Sequence, residues 1–266
     1  MPNTTRRTAA FPFLRMATAA AALALAAGHT LATPLSDMVA FDAVYIPALS
    51  MSTSASQDPR SVPKAQASIG QLERAWPELK RHLASTWPGA VPAGWAESLA
   101  SVERQIVATT AAAARADWKA AHEALEPVRI TLMKARQSQG MDYYVDGLTA
   151  FHEPMETLAL AGSTWQPSAL DGTRRAQLAA AYAQARALWR GIEQKPIDAA
   201  AYGLPADKQA QLRKAVEEES AALARLSDAL RGNDDAAMLK AAAAIKPPFA
   251  RAFTVFGGAE GEHHAH

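Results

Sequence analysis

Two pentapeptides share one pattern of chemically able residues: HEALE over His122–Glu126 and HEPME over His152–Glu156. In each, an imidazole precedes a carboxylate by four positions, and on a helix residues four apart lie on one face. Each segment therefore presents a nitrogen and an oxygen ligand side by side, a donor set that suits Zn²⁺, Fe, Mn or Cu²⁺. The expected metal ligands are His122, Glu123, Glu126, His152, Met155 and Glu156, with Asp142, Asp146 and Met141 near enough in sequence to join or orient them. Glu123 and Glu153, each beside a histidine, would be placed to hold a water that a metal ion activates. The same spacing also makes an ordinary side-chain contact on a helix surface. It matches neither the Glu-x-x-His of di-iron bundles nor the His-Glu-x-x-His of zinc proteases. Recurrence is what sets it apart: of His82, His122 and His152, the histidines of the chain's body, two fall in this one pattern.

Helices must carry these pairs. Alanine-rich stretches place apolar residues three and four apart, and alternating Val/Ile/Thr runs are missing, so the fold class is all-α. Helices are predicted at about 39–54, 62–85, 93–115, 117–138, 142–161, 173–194, 206–231 and 235–256, a bundle of seven or eight helices. Asp58-Pro59, Trp87-Pro88-Gly89, Gly140, Gly162 to Pro167, Lys195-Pro196, Gly203-Leu204-Pro205 and Gly232-Asn233-Asp234 break them. The break at 116–117 has neither Gly nor Pro and rests on Asp117 as an N-cap. The short turn at Gly140 puts the two His-Glu segments on consecutive helices, about 12 to 18 residues either side of it, hence at similar heights at 1.5 Å per residue. Pro127 and Pro154 fall inside these segments and leave the carbonyls of Glu123 and Ala150 without their helical donors; Pro154 is also placed to open a helix.

The chain echoes itself. QLERAWPELKR (71–81) parallels QARALWRGIEQ (184–194), with Trp76 and Trp189 aligned at a spacing of 113 residues. WAESLASVERQ (95–105) parallels KQAQLRKAVEE (208–218), and AAHEALEPVR (120–129) parallels AAAAIKPPFA (241–250). Two similar, four-helix-bundle-like units are expected, 33–140 and 141–258, the second packed on the first. The end of the second, DDAAMLKAAAAIKPPFARAFTVFG, resembles the last helix of periplasmic four-helix cytochromes of the b562 and c-prime type over about 25 residues. That resemblance implies a bundle. Where those families place a haem-ligating histidine, this chain has Arg251, Ala252, Phe253 and Thr254, so the haem chemistry does not follow.

The first residues read as a leader: Arg6, Arg7 and Arg15 with no acid, an apolar run from Met16 to Ala27, and small residues at Thr30-Leu31-Ala32, predicting cleavage after Ala32. The Arg6-Arg7 pair resembles a twin-arginine leader, but Ala9 and Ala10 replace the bulky residues expected there, which favours an ordinary secretory signal. The apolar run is shorter than the roughly 20 residues of a membrane span. The expected location is therefore the periplasm, with no membrane span. Removing three arginines leaves 24 Lys and Arg against 26 Asp and Glu. With no basic stripe left to neutralise phosphates, nucleic acid is not an expected partner. Zero cysteines exclude disulfides, thiolate metal sites, a cysteine nucleophile and covalent haem attachment through CxxCH. The tail 259–266, read as disordered, adds His263, His264 and His266 as loose metal-capturing groups. No nucleophile elbow or phosphate loop is present, so a non-enzymatic role is expected. The leading expectation is a periplasmic protein that binds or handles Cu, Fe or Zn. The alternatives are an interaction module for a periplasmic partner protein, in which the His-Glu pairs are structural, and non-covalent haem binding through His122 or His152 with a methionine.

Overall fold

Local capping sets where the helices begin. In the computed structural model, which describes residues 33–85 and 92–258, Thr33 closes a capping box with Ser36: the Ser36 N–H donates to Thr33 Oγ1 at 3.1 Å and the Thr33 N–H to Ser36 Oγ at 2.8 Å. With Pro34 supplying a preset φ at the first position, α1 runs Pro34–Gln57, five residues earlier than periodicity alone suggests. The predicted leader, 1–32, and the histidine-rich tail, 259–266, lie outside the described residues.

The remaining helices are α2 (Val62–Ser85), α3 (Trp95–Ala114), α4 (Trp118–Ser138), α5 (Tyr144–Thr164), α6 (Gly172–Gln194), α7 (Ala206–Arg231), α8 (Asp235–Ala243) and α9 (Lys246–Thr254). No strand occurs among the described residues, so the protein is all-α. The α3–α4 break falls at Asp117, whose carboxylate accepts from the Ala120 N–H at 3.0 Å. Ala116 takes a left-handed φ of 57° there, at a cost of about 1 kcal/mol for a residue with a Cβ. Gly140 makes the same kind of turn between α4 and α5 at φ 66°, where the conformation is free of strain. The single helix expected over 235–256 is two helices, because Pro247 and Pro248 lack the amide donors needed to continue it.

Four other prolines sit inside helices: Pro47, Pro77, Pro127 and Pro154. Pro154 therefore does not open a helix; α5 has already run ten residues before it. At Pro47 the orphaned carbonyl of Ala43 finds a substitute donor far along the chain, the Gly258 N–H at 2.8 Å. That bond ties the segment after α9 to the middle of α1.

The helices of the two halves pair in the same order. In the first half α1 packs on α2 and α4, and α3 on α2 and α4; in the second, α5 packs on α6 and α8, and α7 on α6, α8 and α9. Trp76 of α2 meets Phe41 of α1 edge-on at 5.8 Å, and Trp189 of α6 meets Phe151 of α5 at 4.7 Å. One apolar core runs through both halves, with α4 against α5 and α1 against α9 joining them. At the α5–α8 crossing a Cβ on Gly162 would lie 2.4 Å from the Ala243 backbone nitrogen, so only glycine lets the helices approach that closely. Gly162 is thus a packing residue inside α5 and not the helix breaker its residue type suggests. No helix among the described residues is long and apolar enough to cross a membrane.

Candidate functional site

The two His-Glu pairs converge on one cluster at the meeting of α1, α4, α5 and α9. His122 turns Nδ1 toward α1, 2.8 Å from Thr53 Oγ1, with the Leu49 carbonyl 3.4 Å and Ser52 Oγ 3.5 Å away. Its Nε2 lies 3.3 Å from Glu126 Oε1. Because the carboxylate only accepts, we assign the ring proton to Nε2 and let Nδ1 accept from the Thr53 hydroxyl. Glu126 Oε2 is bonded in turn by the Arg129 guanidinium, whose Nη2 lies 2.8 Å from His152 Nδ1 and 3.0 Å from His152 Nε2. Beyond it His152 Nε2 stands 4.0 Å from Glu156 Oε2, and Lys246 Nζ donates to Glu156 Oε1 at 3.0 Å.

Sequence spacing explains half of this arrangement. The i,i+4 geometry sets His122 against Glu126 and His152 against Glu156 within their own helices. The Gly140 turn brings the two helices together. The other half comes from residues outside both motifs: Arg129, Lys246, Thr53 and an aromatic wall on α9. His152 lies 5.6 Å from the Phe249 ring, and the Arg129 guanidinium carbon is 6.0 Å over Phe253. A signal for Arg129 does exist in the sequence. Ala121, Leu125, Val128, Leu132 and Ala135 form the buried stripe of α4, and Arg129 and Arg136 fall within it at a seven-residue interval. A guanidinium on an apolar stripe requires a partner.

The electrostatics follow from the burial. Arg129 is 6 % exposed, whereas Glu126 and Glu156 keep 28 % of their side chains open to solvent, so the cluster is a polar seam with the arginine on its floor. Burial, then the charges of Arg129 and Lys246, push the His152 imidazole down to about 3. His152 is therefore neutral throughout the ordinary pH range. Protons compete for the ring's lone pair only near pH 3, not near the ordinary histidine value.

Other expected ligands stand elsewhere. Glu123 is exposed and faces Lys119 at 3.5 Å, because the next residue along a helix turns about 100° away from its neighbour. Met155 is fully buried in the apolar core, and Met141 packs against that core half-exposed. Asp142 pairs with Lys195. Asp146 accepts from Arg136 Nε at 3.1 Å in a second buried cluster, where the Tyr143 hydroxyl donates to Asp42 Oδ2 at 2.6 Å and the Arg136 guanidinium carbon lies 4.4 Å over the Tyr143 ring. On α4 this second cluster is seven residues, roughly 10 Å, from Arg129. Asp142 and Asp146 thus serve ion pairs outside the His-Glu cluster, and His263, His264 and His266 lie outside the described residues.

Among the described residues no group of three or more His, Asp or Glu side chains is already gathered as a metal cage. Arg129 sits between the two pairs, in contact with both. No protein-family model, curated protein or solved structure matches this chain.

Proposed function

We propose that this chain is an exported helical-bundle protein that binds one divalent transition ion, Cu²⁺, Zn²⁺ or Fe²⁺, through His122, Glu126, His152 and Glu156. One observation carries the reading: a single cationic nitrogen, Arg129 Nη2, is within hydrogen-bonding reach of both a Glu126 oxygen and the His152 ring, so one point in the seam is accessible to donors from both pairs. Imidazole nitrogen and carboxylate oxygen around one point are the ligands these ions take. His152, held neutral by its surroundings, needs no deprotonation before it can coordinate. The arginine-bearing N-terminus and the small residues ending at Ala32 support export to the periplasm.

A second reading has its own support. Glu126 is already neutralised by Arg129, and Glu156 by Lys246, which supports a polar staple across four helices of an interaction module. Titration calorimetry separates the two. The processed chain, with His263, His264 and His266 changed to Ser, is expected to bind about one Zn²⁺ or Cu²⁺, and His122→Ala/His152→Ala to remove the isotherm. Absence of binding tighter than the micromolar range in the parent chain would leave only the staple. A Soret band on haem titration would instead favour the cytochrome-like alternative.

A further inference from the structure

We infer that Arg129 is the exchangeable counter-cation of this seam: a divalent ion enters by displacing the Arg129 guanidinium from Glu126 and His152, and the arginine thereby sets the strength and selectivity of binding. This rests on the metal-binding proposal above. Arg129 Nη2 already bonds the carboxylate and the imidazole that the ion would need. Ion and guanidinium cannot share those donors. Coordination uses the same oxygen and nitrogen lone pairs that now accept the arginine's protons.

Charge leads to the same conclusion. The seam holds two carboxylates, Glu126 and Glu156, against two cations, Arg129 and Lys246, and is neutral as it stands. A divalent ion added beside an unmoved arginine would make it strongly positive in a half-buried setting, where charges are poorly screened. Exchange for the arginine adds only one net charge. A monovalent ion gains nothing over the guanidinium it would replace, so the exchange favours divalent ions.

The manner in which Arg129 is held also fits exchange. Arg136, two turns along the same helix, is fully engaged: Nε bonds both oxygens of Asp146 at 3.1 and 3.2 Å, Nη2 bonds Asp146 again, Nη1 reaches Met38 Sδ at 3.1 Å, and Tyr143 covers its face. Arg129 makes its side-chain hydrogen bonds through Nη2, while its Nε is buried with no acceptor. A buried donor without a partner disfavours the position it occupies, and a shift of the guanidinium toward the open carboxylate side exposes that donor to water. The two arginines of one helix stripe thus divide into a fixed one and a displaceable one.

The test uses the processed chain with His263, His264 and His266 changed to Ser, titrated with ZnCl₂ and CuCl₂ in parallel with Arg129→Met, Arg129→Gln and Arg129→Lys. Helical circular dichroism checks the fold of each, and the Gln and Lys variants serve if the Met variant does not fold. Removing the charge in Arg129→Met or Arg129→Gln is expected to tighten binding at least tenfold, whereas Arg129→Lys stays within about threefold of the parent. Binding in Arg129→Met with none in the parent chain would overturn exchange, because the arginine would then block the seam instead of yielding it to the ion. If the parent binds and the neutral variants bind equally or more weakly, Arg129 is not displaced and the exchange is refuted while the metal site stands. If neither the parent nor the neutral variants bind, the metal-binding proposal fails, and the exchange fails with it.

Discussion

Replacing Asp42 by Asn should stabilise this protein at neutral pH and do little in acid. Asp42 is 6 % exposed on α1, and among the described residues its hydrogen-bond donor is the Tyr143 hydroxyl at 2.6 Å. The nearby guanidinium of Arg136 gives its hydrogen bonds to Asp146 and Met38. Burial therefore dominates, and it raises the Asp42 carboxyl from 3.8 to about 6 against the opposing pull of Arg136 and Tyr143. A carboxyl whose pKa is raised on folding keeps its proton in the native state while the unfolded chain releases it. Stability is thus highest below 3.8 and falls as pH rises toward 6, by about 3 kcal/mol in total at 1.36 kcal/mol per pKa unit. Asparagine mimics the protonated form, has nearly the same volume, and accepts from Tyr143 through its amide oxygen. Urea unfolding of parent and Asp42→Asn at half-unit steps from pH 4 to 8 should show the variant's advantage growing to about 3 kcal/mol above pH 6. An advantage that does not change with pH, or a variant less stable at pH 7.5, would refute the claim that burial governs this carboxyl.

Two further predictions test packing and location. Gly162→Ala places a methyl group 2.4 Å from the Ala243 nitrogen and 2.5 Å from the Leu239 carbonyl oxygen. It should force α5 and α8 apart and lower stability by about 3 kcal/mol or more in thermal or urea unfolding; an unchanged midpoint would show that the crossing yields easily. For the export proposal, fractionation of cells expressing the full chain should recover protein beginning at residue 33 in the periplasmic fraction. Unprocessed chain confined to the cytosol would exclude the leader.

The local rules of the chain are legible in its sequence. Helix class, most boundaries and the Asp117 cap follow from interactions within four residues, which sequence spacing encodes directly. For the same reason the placement of His122 beside Glu126 and of His152 beside Glu156 can be read from their positions. What joins the two pairs was not legible as chemistry. Arg129 shares its helix with His122, but its partner His152 stands 23 residues away, and Lys246 reaches Glu156 across 90. The role of Gly162 was not legible either, because whether a glycine ends a helix or admits another depends on the element packed against it, here α8. Asp142, Asp146 and Met155 are close to the histidines along the chain but face other elements, since side-chain direction rotates by about 100° per residue. Only the tertiary fold decided which charges neutralise one another, and hence why His152 is neutral, Asp42 resists ionisation, and an arginine stands where the two motifs meet. Burial and long-range charge pairing are properties of the packed bundle, and no short window of sequence contains them.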